Sequence, residues 1–285
     1  MESPTGRLWG RVAPVALGLA AGTLVVTTSR NRHSDLWPVW GALALALTGC
    51  AGLVFHQGLA QWRALPEDER RPRHEITAIA AGLVVLAVLD ALASQLLNGW
   101  SAWRAPVLVG TALIGAIPVV WVALAIRHAA LTRRSGSAGE RAEWLLTRRR
   151  QLRSLLAGLG SLVALSTLAL GAAIRVENDL VKTGRLAEAT RPEVVLIFGG
   201  VGSLLVAVVY APAALALRAR ARELSAELFP LFAVDEGGPL LERAEQRARF
   251  DQLTGAEAGA YAELQAGIVV FAPLLASAAS VWLPR

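Results

Sequence analysis

Asp90 is the residue in this chain whose type and position most suggest chemistry. It interrupts an otherwise uncharged apolar stretch, residues 76–97. A carboxylate inside a membrane helix costs about 2.5–3.5 kcal/mol on insertion scales, so it turns toward a bundle interior or toward water. Ser94 and Asn98 follow at four-residue intervals and share its helix face, making a polar stripe. Counting depth along the apolar stretches at about 1.5 Å per residue puts Thr111, Ser166, Thr167, Ser203 and Ser277 at comparable levels on other helices. The expectation is a buried, protonated Asp90 hydrogen-bonded to one or more of these hydroxyls, with Asp90, Ser94, Asn98, Thr111 and Ser203 as the candidate polar site. Three roles fit it: a helix–helix clamp of about 0.6–2 kcal/mol, a proton or cation site, or a general acid acting on a lipid-soluble substrate.

Other chemistries find less support. His33, His56, His74 and His128 include no mid-membrane pair for haem, and a metal site from His56, His74 and His128 is not demanded by their spacing. His74-Glu75 lacks the second histidine of a zinc-protease helix. The single lysine, Lys182, falls in a loop, which excludes a retinal Schiff base inside the bundle. There is no Walker loop, and Phe198-Gly199-Gly200-Val201-Gly202 lies within an apolar stretch rather than after a strand. No paired aspartate motif suits a magnesium diphosphate, and no serine or cysteine has an evident base partner. The lone Cys50 excludes an intrachain disulfide and a cysteine metal cluster. No metal and no cofactor is expected.

The elements that must hold these residues are membrane spans. Of the 285 residues 54% are hydrophobic, mean hydropathy is +0.48, and the apolar residues come in long uncharged blocks. Crossing a hydrocarbon core of roughly 30 Å takes about 20 helical residues. Seven blocks fit: 12–29, 36–55, 76–97, 105–126, 154–174, 194–217 and 264–283. Only helices satisfy their own backbone hydrogen bonds in lipid, and the blocks do not alternate as barrel strands would. The fold class is therefore an all-α polytopic bundle of about seven spans, forming a single membrane domain over 1–285. The first block lacks a small-x-small cleavage site and reads as a retained helix.

Orientation follows the basic residues. With the amino terminus in the cytoplasm and the carboxy terminus outside, 20 of the 28 Lys and Arg residues fall inside and 8 outside. Trp37, Trp40, Trp100, Trp103 and Trp282 then stand near the outer interface and Trp9, Trp62, Trp121 and Trp144 near the inner one, as two aromatic belts. Arginine-for-lysine bias with abundant alanine points to a GC-rich bacterial genome, and the location is the cytoplasmic membrane.

Two inner segments stand out. In the loop 127–153, Ser135–Gly139 reads as a flexible break. After it, Trp144, Leu145, Leu146 and Leu152 combine with Arg148, Arg149, Arg150 and Arg153 in an amphipathic helix lying at the interface and feeding the fifth span. Those arginines are the expected contacts to anionic headgroups of the inner leaflet, the alternative being a topology signal with no ligand; nucleic acid is not expected. The segment 218–263 reads as helix up to Pro230, then a helix opened by Pro239 and supported by Glu245 and Arg249. Thr254 and Glu257 form a capping-box pattern for a further helix. This segment is expected to fold against the bundle or to dock a protein partner or a second copy of the chain. Gly18 and Gly22, and Gly199, Gly200, Gly202 and Ser203, are expected to set how closely helices approach. Pro118, Pro212 and Pro273 are potential kinks.

Missing catalytic residues, small-residue faces and basic inner loops favour a non-enzymatic accessory, effector or channel-like subunit. The alternatives are a proton- or cation-coupled transporter using Asp90 and an intramembrane enzyme with Asp90 as general acid.

Overall fold

Long uncharged blocks become long helices. The computed structural model describes residues 4–29, 34–70, 104–132, 136–184, 193–230, 237–254 and 256. Among them the chain forms α1 (Pro4–Thr27), α2 (Trp37–Ala64), α3 (Arg104–Leu131), α4 (Ala138–Lys182), α5 (Glu193–Leu228) and α6 (Gly237–Thr254), with no strand. The helices Trp37–Ala64, Pro106–Leu131, Ala138–Lys182 and Val194–Leu228 are long and apolar enough to cross a membrane, and Val12–Thr27 is a shorter apolar helix. The expected spans 76–97 and 264–283 lie outside the described residues, and with them Asp90, Ser94, Asn98 and Ser277.

Small residues bring the helices together. Without a hydrophobic force between helices in lipid, close van der Waals contact has to supply the attraction. Gly18 and Gly22 of α1 lie on Thr48 of α2, and Gly52 of α2 lies on Pro14 and Val15, so these two helices run antiparallel. The α2–α3 contacts ascend together in both helices: Gly115 meets Ala51, Gly58 meets Val119, and the rings of Trp62 and Trp121 stand 5.8 Å apart. Helices α2 and α3 are therefore parallel neighbours. Antiparallel contacts place α4 against α2, through Val54 and Gly158 and a hydrogen bond from Gln57 to Ser154, and α5 against α4, through Gly202 and Val163. Helices α3 and α5 continue through Pro118 and Pro212.

The two ends of the bundle are tied differently. At one end, Arg104 donates to the carbonyl of Thr28, and Ser34 donates to Asp179 at 2.6 Å. The other end gathers the last turns of α2, α3 and α5 and the first turns of α4.

Helix α4 is longer than expected. The stretch around Arg141–Arg153 is continuous with the span after it, and the helix runs on to Lys182 through what reads as an outer loop. Its start lies at the pattern Ser137-x-x-Glu140. The Ser137 hydroxyl accepts from the Glu140 amide at 3.3 Å, and the Glu140 carboxylate accepts from the Ser137 amide at 2.9 Å. This capping box, in place of the expected flexible break, satisfies two amides that would otherwise lack partners. Gly184, at φ +72°, takes the left-handed position that closes the helix, donating to Val181 at 2.9 Å. Replacing Ser137 with alanine is expected to cost about 1 kcal/mol. It should also speed amide exchange at 138–143 selectively; unchanged exchange there would contradict a working cap.

Thr254 ends α6. Its hydroxyl donates back to Phe250 at 2.8 Å, at the end of α6. Thr254 thus closes the last turn of one helix, while Glu257, its expected capping partner, lies outside the described residues.

Candidate functional site at the arginine-rich end

Pro66 sets the geometry of this end. A residue before proline is driven out of the helical region, and Leu65 is extended at φ −70°, ψ 141°. The chain leaves α2 and turns, and Arg70 reaches back to the carbonyls of Leu65 and Arg63 at 2.7 and 2.6 Å, capping the free end of the helix. The turn carries Glu69 beneath α4.

There Glu69 meets a face of α4 formed by Trp144, Arg148 and Gln151, spaced at one-turn intervals. Arg148 Nη2 lies 2.8 Å from Glu69 Oε2, Trp144 Nε1 donates to Glu69 Oε1 at 3.0 Å, and Arg148 Nη1 donates to Gln151 at 2.7 Å. The side chains of Arg148 and Glu69 are only 7% and 3% exposed. Adjacency in sequence groups Arg148 with the outward arginines expected at headgroups, and the structure corrects that grouping. Its helix phase is that of Leu145, Leu152 and Leu155, all buried, so it points into the bundle. Arg150 and Arg153 are exposed, and Arg149 is intermediate.

A second pair joins α4 to α5. Arg141 grips both oxygens of Glu227, at 2.8 and 2.7 Å, in a two-pronged arrangement stronger than a single charged hydrogen bond. The hydrogen bonds to Glu227 hold the Arg141 guanidinium above its ordinary value. Beside the pair is a cavity of about 430 Å³ walled by Leu131, Trp144 and Leu224, with Arg220 and Glu223 on its rim. Arg220 and Glu223 are themselves paired one turn apart, so the cationic and anionic groups at this opening balance.

Helix α6 closes over the same end. Arg149 Nη1 donates to the carbonyl of Leu253 at 3.1 Å, and Arg222 Nε donates to that of Ala256 at 3.2 Å. Cations at the last carbonyls of a helix are favoured by its dipole. The rings of Phe229 and Phe250 meet at 5.8 Å.

Of the expected polar site, only the hydroxyl side falls within the described residues. Thr111 donates to the carbonyl of Val107 at 2.7 Å, Ser166 to that of Leu162 at 2.7 Å, and Thr167 to that of Val163 at 2.8 Å. A hydroxyl whose proton is already engaged with its own helix can only accept from another group. Ser203 differs: it is buried, and its hydroxyl has no hydrogen-bond partner among the described residues.

Several of the tryptophans expected near the interfaces take part in packing. Trp40 is buried in the core, Trp62 and Trp121 pack on each other, and Trp144 is tied to Glu69. Among the described residues no three His, Cys, Asp or Glu side chains converge as a metal site, and His74 lies outside them. The pairing of Glu69 with Arg148 carries no signal in the sequence, because 79 residues separate the partners and no local pattern links them. No family model, no curated protein and no solved structure matches this chain.

Proposed function

We propose that the chain is a multi-pass protein of a bacterial cytoplasmic membrane, with about seven spans and its amino terminus inside. We propose further that it works as a non-enzymatic accessory, effector or channel-like subunit through assembly at its arginine-rich end. Parallel packing of α2 and α3 supports the span count. Arg70 and Arg104 stand at opposite ends of the bundle, with residues 71–103 of the sequence between them. The stretch 76–97, uncharged but for Asp90, has the length of about 20 residues that a crossing requires. The balance of basic residues supports an inner location for the end that carries Arg141 to Arg153. Reporter fusions at residues 140 and 240 are expected to be active only in the cytoplasmic mode; periplasmic activity at either position would refute this orientation.

One observation carries the functional half: the charged side chains of this end hold helices to one another. Glu69 with Arg148 and Arg141 with Glu227 each bridge two elements. Chemistry on a substrate needs groups converging on a reacting atom, whereas these converge on partners within the chain. What faces outward includes Arg150, Glu223 and Gln252, all exposed. Photo-crosslinking residues placed at these three positions in the producing cell should yield one discrete protein adduct from at least two of them. Labelling of lipid alone from all three would overturn the assembly reading.

A further inference from the structure

The cavity at this end is bounded by three helices and carries both signs of charge. Leu131 of α3, Trp144 and Leu145 of α4 and Leu224 of α5 give it apolar walls. Its charged lining is Arg141, Arg220, Glu223 and Glu227, two cations and two anions. A volume of about 430 Å³ is in the range of small-ligand sites.

The two ion pairs in this lining differ in strength. Arg141 holds both oxygens of Glu227 and ties α4 to α5, so that pair stays closed. Arg220 and Glu223 meet through one nitrogen and one oxygen, at 2.5 Å, one turn apart on the same helix. Their side chains are 20% and 65% exposed, and a pair of that kind contributes little to stability. Opening it costs little and offers a guanidinium and a carboxylate to a ligand. An anion alone would also face Glu223, and a cation alone would also face Arg220. A zwitterion satisfies both.

Depth orders the two charges. At 1.5 Å per residue, Arg220 and Glu223 lie about 5 Å and about 9 Å beyond the apolar block 194–217. Ala129, also in the lining, stands about 5 Å beyond the block 105–126. Headgroups occupy roughly 5–8 Å on each side of a hydrocarbon core. Moving away from the hydrocarbon, α5 thus presents apolar surface, then a cation, then an anion. An ethanolamine phospholipid presents acyl chain, phosphate and ammonium in the same order.

The geometry points to a binding site in this cavity for the headgroup of an ethanolamine phospholipid, its phosphate on Arg220, its ammonium on Glu223 and its glycerol end toward Ala129. An ammonium has three N–H donors for a carboxylate, whereas the quaternary nitrogen of choline has none. A glycerol headgroup would leave Glu223 without a cation. The site rests on the membrane reading above, though not on its orientation, and it is independent of the protein partner proposed there.

The test uses the full chain in detergent, stripped of lipid and followed by native mass spectrometry and thermal shift. Four additions are compared: dioleoyl-phosphatidylethanolamine, dioleoyl-phosphatidylcholine, dioleoyl-phosphatidylglycerol and soluble O-phosphoethanolamine. The ethanolamine lipid should be retained about tenfold more tightly than the other two, and it alone should raise the melting temperature. Arg220→Gln should weaken the ethanolamine and choline lipids alike, since both carry the phosphate. Glu223→Gln should abolish the preference between them, and should strengthen retention of phosphatidylglycerol by freeing Arg220. A purely structural role for the pair would move all three lipids together in both variants, and that result would overturn the site. Glu245→Gln breaks a more exposed pair on α6 and should change nothing. A loss there as large as with Glu223→Gln would show diffuse charge effects and equally refute the site. Stabilisation by O-phosphoethanolamine as large as that by the lipid would identify a soluble zwitterion and overturn the lipid. A chain that stays dispersed without detergent would refute the membrane reading itself. A chain that needs detergent, yet retains the ethanolamine and choline lipids equally, would refute this site alone.

Discussion

Replacing Arg148 with alanine is expected to lower the stability of the detergent-solubilised protein by about 3–5 kcal/mol, the largest effect of any single truncation at this end. The magnitude comes from what is left behind. Glu69 is 3% exposed, forms an ion pair with Arg148 and accepts from Trp144, so removing the guanidinium leaves a buried carboxylate with its main counter-charge gone. Arg148→Lys should recover only part of the loss, because an ammonium cannot reach Glu69 and Gln151 together with the geometry of a planar fork. The double replacement Arg148→Met/Glu69→Leu should approach the parent stability or exceed it, since desolvating two charges offsets much of what their attraction supplies. Chemical unfolding followed by tryptophan fluorescence would measure all four proteins, with Trp144 as a local reporter. A loss under about 1 kcal/mol for Arg148→Ala would mean that water reaches the pair and that it does not hold the α2 turn against α4.

How much of this is legible in the sequence depends on the range of the physics involved. Five apolar blocks become helices because hydrocarbon leaves a chain no other way to satisfy its backbone, and that constraint is local. Gly18 and Gly22 carry a usable signal for the same reason: four-residue spacing puts both on one face, and both meet Thr48. The Ser137–Glu140 box is equally local, but the small residues of 135–139 around it read as a break and mask it. Arg148 cannot be sorted from Arg149, Arg150 and Arg153 by composition, since four charges in six residues necessarily point in several directions around a helix. Its direction follows from the buried phase of Leu145, Leu152 and Leu155, which becomes visible once the helix is known to be continuous. The tryptophans carry a second role that sequence does not show. An indole suits the headgroup layer, and Trp62 and Trp121 also fit a helix–helix seam beside Gly58. Asp90, the sharpest chemical feature of the sequence, belongs to a stretch outside the described residues. The self-bonded hydroxyls of Thr111, Ser166 and Thr167 bear on it only from the acceptor side.

The seam between α1 and α2 yields the second large effect, and it separates two kinds of tight contact. A methyl group at Gly52 would meet the carbonyl oxygen of Pro14 and would lie 2.7 Å from Val15 Cα, so the obstacle is backbone. A methyl at Gly22 would meet the Thr48 hydroxyl, with Thr48 Cβ at 3.2 Å, so the obstacle is a side chain. Both replacements should destabilise by about 1–3 kcal/mol, the usual range for overpacking. Their rescue should differ. Thr48→Ala should restore most of the stability of Gly22→Ala, because truncation removes the atom in the way. No truncation on α1 can relieve Gly52→Ala, since the atoms in conflict are the main chain of Pro14 and Val15, and α1 has to move away from α2. That displacement should weaken the tie from Arg104 to Thr28 at the far end of α1, which thermal unfolding of an Arg104→Gln/Gly52→Ala pair would report as less than additive loss. Gly110, where an added methyl would find no atom within 4 Å, should accept alanine without penalty and serves as the control. If Gly52→Ala proves as benign as Gly110→Ala, the two helices do not approach to backbone contact, and the small residues of α1 and α2 are not what holds them together.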